Sequence, residues 1–161
     1  REAVKEEKWL IKGVTSDNDV ARISVCNVPD RPGIAFKIFS ILGAQKINVD
    51  IILQSIGRDN TKDISFTVAR EMKDLAVATL QDNLDVMDGV YFLCDDNIAK
   101  VSIVGAGMQT NHGVAARMFE ALSEANVNIQ MISTSEIKIS VLIKKSDSER
   151  AVQAIHDAFI S

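Results

Sequence analysis

The sequence predicts an α+β fold composed of two ferredoxin-like βαββαβ units, with the first unit inserted into the second. Three observations support this prediction. One hydrophobic pattern occurs twice, so that Gly33 and Gly113 occupy equivalent positions 80 residues apart. Each copy alternates strand-like and helix-like segments in the order of this fold. The second copy lacks a final strand, and an apolar segment ahead of the first copy can supply it.

The repeat is clearest in the first helix of each copy. The apolar residues keep the i, i+3, i+4, i+7 spacing of a single helix face. They are Ala35, Ile38, Phe39 and Leu42 in the first copy and Ala115, Met118, Phe119 and Leu122 in the second. The spacing becomes 78 residues for the preceding strand and 75 for the later elements, so the length differences fall in loops, where insertions cost little.

In the first copy, strand-like apolar runs predict four strands, and helical spacing predicts two helices between them. In chain order these are a strand at 21–28, a helix at 33–45, strands at 49–56 and 63–70, a helix at 74–84 and a strand at 90–94. This order predicts an antiparallel sheet with both helices on one face.

The second copy repeats five of these elements, at 100–104, 113–125, 129–133, 138–144 and 148–160. The sixth would begin beyond Ser161. We expect the apolar run that contains Trp9, Leu10 and Ile11 to fill the missing edge. The predicted domains are therefore 15–98 for the first unit, 8–14 with 99–161 for the second, and a flexible N-terminal segment at 1–7.

Composition narrows the function classes. The chain has 161 residues, 47% of them hydrophobic, so two small cores can form. A net charge of −4 with 5% aromatic residues argues against a nucleic-acid surface. No apolar run approaches the length of a membrane span. Cys26 and Cys94 lie in apolar strand contexts without metal-ligand spacing, which predicts reduced core thiols and a cytoplasmic location.

The sequence predicts no catalytic residues, no metal site and no cofactor. His112 and His156, the latter on the exposed side of its helix, lack companions at ligand spacing. The Gly105-Ala106-Gly107 run starts like a dinucleotide loop, but Thr110 replaces the third glycine, which favours a tight strand-to-helix loop. The acidic pairs Glu6-Glu7 and Asp95-Asp96 are interpreted as solvated loop charges.

The loop between the first strand and the first helix, residues 28–34, is the best candidate for binding. Two prolines stiffen it, and Gly33 permits close backbone approach at a helix start whose N–H groups lack partners. Such a terminus attracts a carboxylate. Asp30 either accepts an ammonium group or caps the helix, and periodicity alone favours capping.

Five motifs carry a resemblance to a known family, at residues 28–33, 48–54, 63–67, 104–108 and 126–137. Together they resemble the C-terminal regulatory region of bacterial aspartate kinase, which is built from ACT domains, ligand-binding modules of amino-acid metabolism. The resemblance covers residues 13–161, and this family completes its second ACT domain with a strand that precedes the first. The ATP and aspartate motifs of the kinase are missing. The resemblance therefore implies a separate regulatory subunit or a regulatory fragment without catalytic activity of its own.

The same resemblance implies that threonine, lysine or both bind between the first ACT domain of one chain and the second of a partner. The effector-binding residues it implies are Asp30 for the ammonium, backbone groups of Gly33, Ile34 and Ala35 for the carboxylate, Gln54 for the side chain, Ser65 nearby, and Asn128 and Ile129 from the partner. Without the family, Gln54 is interpreted as a polar strand end and Asn128 as a turn residue. Ser65 is equally compatible with an outward strand serine.

A second effector pocket is an open alternative. The counterpart of Gln54 and its neighbour is the pair Thr134 and Ser135, followed by Glu136, which is a candidate for binding a lysine ammonium. These three residues are equally compatible with an exposed strand end. The equivalent of the Asp30 loop, residues 108–113, contains no carboxylate, so the ammonium contact does not transfer to it.

The leading prediction is a non-catalytic amino-acid sensor that forms a homodimer and inhibits an aspartate kinase catalytic domain or subunit. A stand-alone ACT regulator of another metabolic enzyme is the alternative. A small ferredoxin-like enzyme, such as an acyl-phosphate hydrolase, is a rival of a different class. It requires an arginine-led phosphate cradle at the first loop, and Arg31 beside Asp30 makes a poor one.

Overall fold

The computed structural model describes residues 11–57, 59–84, 89–106 and 112–160. Six strands and four α-helices lie within them. The elements are β1 (Ile11–Pro29), α1 (Ile34–Ala44), β2 (Ile52–Ile56), β3 (Thr61–Ala69), α2 (Lys73–Asn83), β4 (Tyr91–Gly105), α3 (His112–Glu124), β5 (Met131–Thr134), β6 (Lys138–Lys144) and α4 (Ser148–Phe159). Short 3₁₀ turns, Arg70–Met72 and Lys145–Asp147, lead into α2 and α4.

The chain divides into two compact units, and residues 19–96 form the first. Its strands hydrogen-bond in the order β2-β3-β1-β4, and the β1–β3 and β2–β3 pairs are antiparallel. Alternate residues of the strands share one core with both helices, which places α1 and α2 on the same face. The core includes Ile23, Ile38, Ile64, Phe66 and Leu80.

Residues up to Asn18 and from Asn97 onward form the second unit. Its strand order is β1-β4-β6-β5, with antiparallel β4–β6 and β5–β6 pairs. Ile11 on the first part of β1 is buried in one core with Val101, Val141 and Phe159. The N-terminal strand therefore supplies the edge that the second repeat lacks, and the predicted fold class, with one unit inserted into the other, is confirmed.

In two places, a pair of strands predicted as separate forms one continuous strand. The N-terminal segment joins the strand at 21–28 to give the 19 residues of β1, and the segments at 90–94 and 100–104 join to give the 15 residues of β4. The interpretation of Asp95 and Asp96 as solvated loop charges was wrong. Both lie within β4, where Arg22 Nη2 is 3.7 Å from Asp95 and Lys73 Nζ is 3.1 Å from Asp96, so cations compensate the charges.

The divisions between the units fall after Asn18 and after Asp96, each inside a strand. The sequence analysis placed them at 14/15 and 98/99. Residues 1–7, predicted to be a flexible segment, and the pair Glu6 and Glu7 lie outside the described residues, as do Trp9 and Leu10.

The two cysteines differ in their surroundings. Cys26 is a buried free thiol, as predicted, but Cys94 is an exposed free thiol. Alternation along β4 places Cys94 on the same side as Phe92, which packs against the first core. Cys94 lies further along the strand, beside the charged Lys73, where the apolar core has ended. The prediction of a core position for Cys94 was therefore wrong.

Candidate functional site

The loop from Asp30 to Gly33 joins β1 to α1. Gly33 is the N-cap of α1, with φ of 91° in the left-handed region, and no side chain makes a capping hydrogen bond. A Cβ atom at Gly33 would meet nothing within 4 Å, so backbone conformation rather than crowding favours glycine here. The preference for Asp30 as a helix cap, drawn from periodicity, was wrong, because its carboxylate turns to a different partner.

That partner is Lys62 on β3. The Lys62 Nζ lies 3.4 Å from Asp30 Oδ1, and the Asp30 backbone N–H donates a 2.7 Å hydrogen bond to the Asn60 carbonyl. The turn before β3 therefore holds the backbone of Asp30, and the start of β3 holds its side chain. Sequence reasoning missed Lys62. The available signal was its alternation with Ile64 and Phe66, which places a lysine on the core-facing side, where a charge requires a counter-ion.

The first turn of α1 presents N–H groups near this pair. The Lys37 N–H donates to the Gly33 carbonyl over 2.9 Å, and the Ile34 N–H makes a long 3.4 Å contact with the Arg31 carbonyl. Within the described part of the chain, the N–H groups of Gly33, Ala35 and Phe36 have no acceptor. Unpaired N–H groups at a helix start favour an anionic ligand.

Gln54 lies on the same side of the sheet as Lys62. In the β2–β3 ladder Gln54 faces Ile64 and Ile56 faces Lys62, and residues two apart on a strand share a face. All five residues of β2 are exposed, and β2 is the outer strand of its unit. The structure thus places Asp30, Lys62 and Gln54 on one side, at an open edge.

Ser65 does not join this group. It lies between the fully buried Ile64 and Phe66, so its side chain projects from the opposite face. There its hydroxyl is 2.7 Å from the Ser24 hydroxyl, its partner across the β1–β3 ladder. The alternation of Ser65 with buried neighbours was visible in the sequence and favours its interpretation as a strand serine.

In the second unit, Asn128 and Ile129 line a surface cavity of about 380 Å³ at the end of α3. Asn128 is exposed and Ile129 half-buried. The loop is held by Arg150 of α4, whose Nε donates to the Ala125 carbonyl over 2.8 Å and whose Nη2 donates to the Asn126 carbonyl over 3.3 Å. Asp147 accepts a further 2.9 Å hydrogen bond from the same nitrogen. No pattern in the sequence predicts these contacts between Arg150 and the loop.

The residues of the possible second pocket lie at the turn between β5 and β6. Ser135 is engaged within the turn, because its hydroxyl accepts from the Lys138 N–H at 3.3 Å and its own N–H donates to the Lys138 carbonyl at 2.8 Å. Thr134 and Glu136 are exposed, and Glu136 makes no ion pair within the described part of the chain. The loop at residues 107–111 lies outside that part.

The electrostatics of the thiols do not favour nucleophilic chemistry. Burial raises the pKa of the Cys26 thiol, and the nearby Asp63 carboxylate raises it further. Cys94 is exposed as a residue, but partial removal of water from around its sulfur raises the pKa of its thiol as well. Thiols with raised pKa values stay protonated and react slowly. Among the described residues, no group of three or more His, Cys, Asp and Glu is placed to hold a metal ion, and no helix is long and apolar enough to span a membrane.

Comparison with known proteins agrees with this architecture. The family model of the ACT domain matches residues 23–84 and 101–159 of this sequence. The aspartate kinase of Stutzerimonas stutzeri is 48% identical over 153 residues, which cover 95% of this chain but 37% of that protein. The chain therefore spans little more than a third of the length of such curated relatives.

Two solved structures match nearly from end to end. The regulatory subunit of aspartate kinase from Thermus thermophilus, in a ligand-free form, is 39% identical with a TM-score of 0.88, and the match covers 93% of this chain and 99% of that one. A chain from a structure of aspartokinase alpha and beta subunits is 42% identical with a TM-score of 0.82, over 92% of this chain and 98% of that one.

Proposed function

Since the chain belongs to the ACT-domain family and forms a tandem ACT regulatory region of aspartate kinase, we propose that it binds a free amino acid and thereby inhibits the phosphorylation of aspartate. The effector is threonine, lysine or both, the end products that the sequence resemblance implies. In this proposal the chain regulates the reaction without catalysing it, and it acts in the cytoplasm.

The observation that carries the proposal is the placement of Asp30, the start of α1 and Gln54 on one side of the first unit. A free α-amino acid presents an ammonium group and a carboxylate on one carbon. The Asp30 carboxylate is suited to the first, and the unpaired N–H groups at Gly33 and Ala35 are suited to the second. The Gln54 amide offers both a donor and an acceptor to the effector side chain.

We propose that a second copy of the chain completes this site with Asn128 and Ile129. The open edge of the first unit supports a dimer, because β2 is the outer strand of its sheet and no other strand of the described residues pairs with its outer side. Ile52 and Leu53 on this strand are each 47% exposed and Ile56 is 95% exposed. Thr134, Ser135 and Glu136 form a candidate second site, with Glu136 binding a lysine ammonium.

Calorimetric titration of the chain with threonine and with lysine tests the proposal. We expect Asp30→Ala and Gln54→Ala each to weaken binding by about 1.5 to 3 kcal/mol, the range for hydrogen bonds to charged groups. Ser65→Ala is the matched control, because Ser65 faces away from Asp30, and we expect it to change affinity little. Unchanged affinity in both Asp30→Ala and Gln54→Ala would place the site elsewhere.

The alternative, a regulator of a different enzyme, is separated by a second measurement. Adding the chain to the catalytic part of aspartate kinase should make phosphorylation of aspartate sensitive to the amino acid that binds. Asp30→Ala should leave the reconstituted enzyme active at effector concentrations that inhibit the unmodified one, since inhibition is a coupling free energy between two sites. Effector binding without any change in kinase activity would favour the alternative.

A further inference from the structure

The Asp30 carboxylate is already occupied in the structure. Its Oδ1 lies 3.4 Å from Lys62 Nζ, at the place where the proposed function puts the ammonium group of an effector. Lys62 and an amino-acid ammonium carry the same charge and the same donor chemistry. The half-exposed carboxylate carries a single negative charge. Two ammonium groups beside it would share that charge and repel each other, so the two compete.

Lys62 is held in this position by its strand. Its side chain is 16% exposed, against 48% for Asp30, and it lies opposite Val28 on β1 and Ile56 on β2. The aliphatic stem thus runs along the covered side of the sheet and the ammonium emerges at the loop. Among the described residues, Asp30 is the ion-pair partner of Lys62.

Asp30 keeps its place independently of this ion pair. Its backbone N–H donates to the Asn60 carbonyl over 2.7 Å, and the loop continues into the left-handed Gly33 that starts α1. Removal of the Lys62 charge therefore frees the carboxylate without releasing the loop. A ligand ammonium would then meet an unpaired anion in an unchanged backbone frame.

We propose that Lys62 is an internal counter-ion, which holds Asp30 when the site is empty and which the ammonium of the effector must displace. This inference rests on the proposed function and identifies a residue that sets its affinity. Lys62 lowers the affinity for every ligand that uses Asp30, and so raises the amino-acid concentration at which the sensor responds. It also keeps Asp30 from standing as an isolated charge in the empty state.

The test is calorimetric titration of the full chain with threonine and with lysine. We expect Lys62→Met, which keeps the apolar stem, to tighten binding about two- to five-fold, the fold-change that corresponds to the weak coupling of a partly exposed ion pair. Lys62→Arg, which keeps the charge, should bind like the unmodified chain. Lys62→Gln provides a second neutral variant if Lys62→Met folds poorly in a thermal unfolding control.

Two further variants make the test specific. In Asp30→Asn, the added change Lys62→Met should no longer tighten binding, because the competition requires the carboxylate. Lys37→Met removes an exposed lysine on α1 that makes no ion pair within the described part of the chain, and measures the general effect of charge. We expect Lys37→Met to change affinity less than Lys62→Met.

The outcomes separate this inference from the proposed function. If Asp30→Asn weakens binding while Lys62→Met weakens it or leaves it unchanged, the site stands and the role of Lys62 is overturned. If Asp30→Asn leaves affinity unchanged, the site itself is misplaced. If the unmodified chain binds neither amino acid, the proposed function fails and this inference fails with it.

Discussion

The two units share their internal structure and differ at their edges. Each has a pair of serines across its central strands, Ser24 with Ser65 at 2.7 Å and Ser102 with Ser140 at 2.6 Å. Each also ends its first helix in the same way. The N–H of Ile47 donates to the Leu42 carbonyl as that of Val127 donates to Leu122, each after a left-handed residue. The repeat in the sequence thus preserves hydrogen bonds as well as apolar residues.

The difference lies in what anchors the second helix of each unit. In the first unit, Lys73 at the start of α2 donates to Asp96 over 3.1 Å. In the second, Ser148 at the start of α4 donates to Asn18 over 3.0 Å. Asp96 and Asn18 are the last residues of their strand segments before the chain passes to the other unit. The hydrogen bond that anchors the second helix is therefore ionic in the first unit and neutral in the second.

A second difference concerns the loop after the first helix. Arg150 binds the carbonyls of Ala125 and Asn126, whereas Leu75, the residue 75 positions earlier, is an exposed side chain that cannot donate. A side chain of α4 therefore holds the loop that carries Asn128. The equivalent loop of the first unit is held by β3 instead, where the Ile51 N–H donates to Thr67 Oγ1 over 3.0 Å. The duplicated fold conserves its core, and the units differ in the polar contacts around it.

The largest expected effect is on stability, and it distinguishes the two cores to which β1 contributes. Ile11 and Ile23 both lie on β1 but are buried in different clusters. We expect Ile11→Ala and Ile23→Ala each to lower the free energy of unfolding by about 2 to 5 kcal/mol. Amide exchange should accelerate around Val101 and Val141 in the first variant and around Val25 and Val68 in the second. Equal acceleration in both units would contradict the assignment of Ile11 to the second core.

An intermediate effect on stability is expected when the hydrogen bonds from Arg150 to the loop after α3 are removed. Arg150→Met removes the donors to two carbonyls and should lower the free energy of unfolding by about 1 to 2 kcal/mol, since charged hydrogen bonds contribute more than neutral ones and this side chain is half-exposed. Leu75→Met is the matched control in the other unit and should have almost no effect. Chemical denaturation measures both. Equal effects of the two changes would remove the distinction between the loops.

The smallest effect is a pH dependence of stability, which distinguishes the ionic anchor of α2 from the neutral anchor of α4. The hydrogen bond from Lys73 holds the pKa of Asp96 below its ordinary value of 3.8. A carboxyl with a lowered pKa in the folded state stabilises it above the unfolded pKa, and this stability is lost as the pH falls through the folded pKa. We therefore expect Asp96→Asn to flatten the acid side of the stability profile, below about pH 4.

Asn18→Ala in the second unit should lower stability by a similar amount at every pH, because neither Asn18 nor Ser148 titrates. Unfolding measured from neutral to acidic pH compares the two variants. A profile for Asp96→Asn with the same slope as that of the unmodified chain would show that the Lys73–Asp96 hydrogen bond contributes nothing measurable to stability.

The sequence predicted the parts of the fold that follow from apolar periodicity. Ile38 and Leu42 lie on the buried face of α1, as their spacing requires, and Ile11 completes the second core. It did not predict that Asp95 and Asp96 continue a strand. Their partners Arg22 and Lys73 are distant in the sequence, so no local pattern reveals that the charges are compensated.

The candidate site shows the same limit. The Asp30 loop, Gly33 and Gln54 were identified by motif, and alternation with Ile64 and Phe66 contained the information that separates Ser65 from them. The pairing of Asp30 with Lys62 depends on the register between β1 and β3, which becomes visible only when the strands are paired. The contact of Arg150 with the α3–β5 loop is likewise tertiary.

The most direct test of the account is NMR titration of the chain with threonine and with lysine, read residue by residue. We expect at least one of the two amino acids to shift the amide signals of Gly33, Ile34 and Ala35 and the side-chain amide of Gln54, and we expect these shifts to disappear in Asp30→Ala. Ser24 should change little, because it lies on the other face of the sheet. Shifts confined to the turn at Ser135 and Glu136, or no shifts with either amino acid, would contradict it.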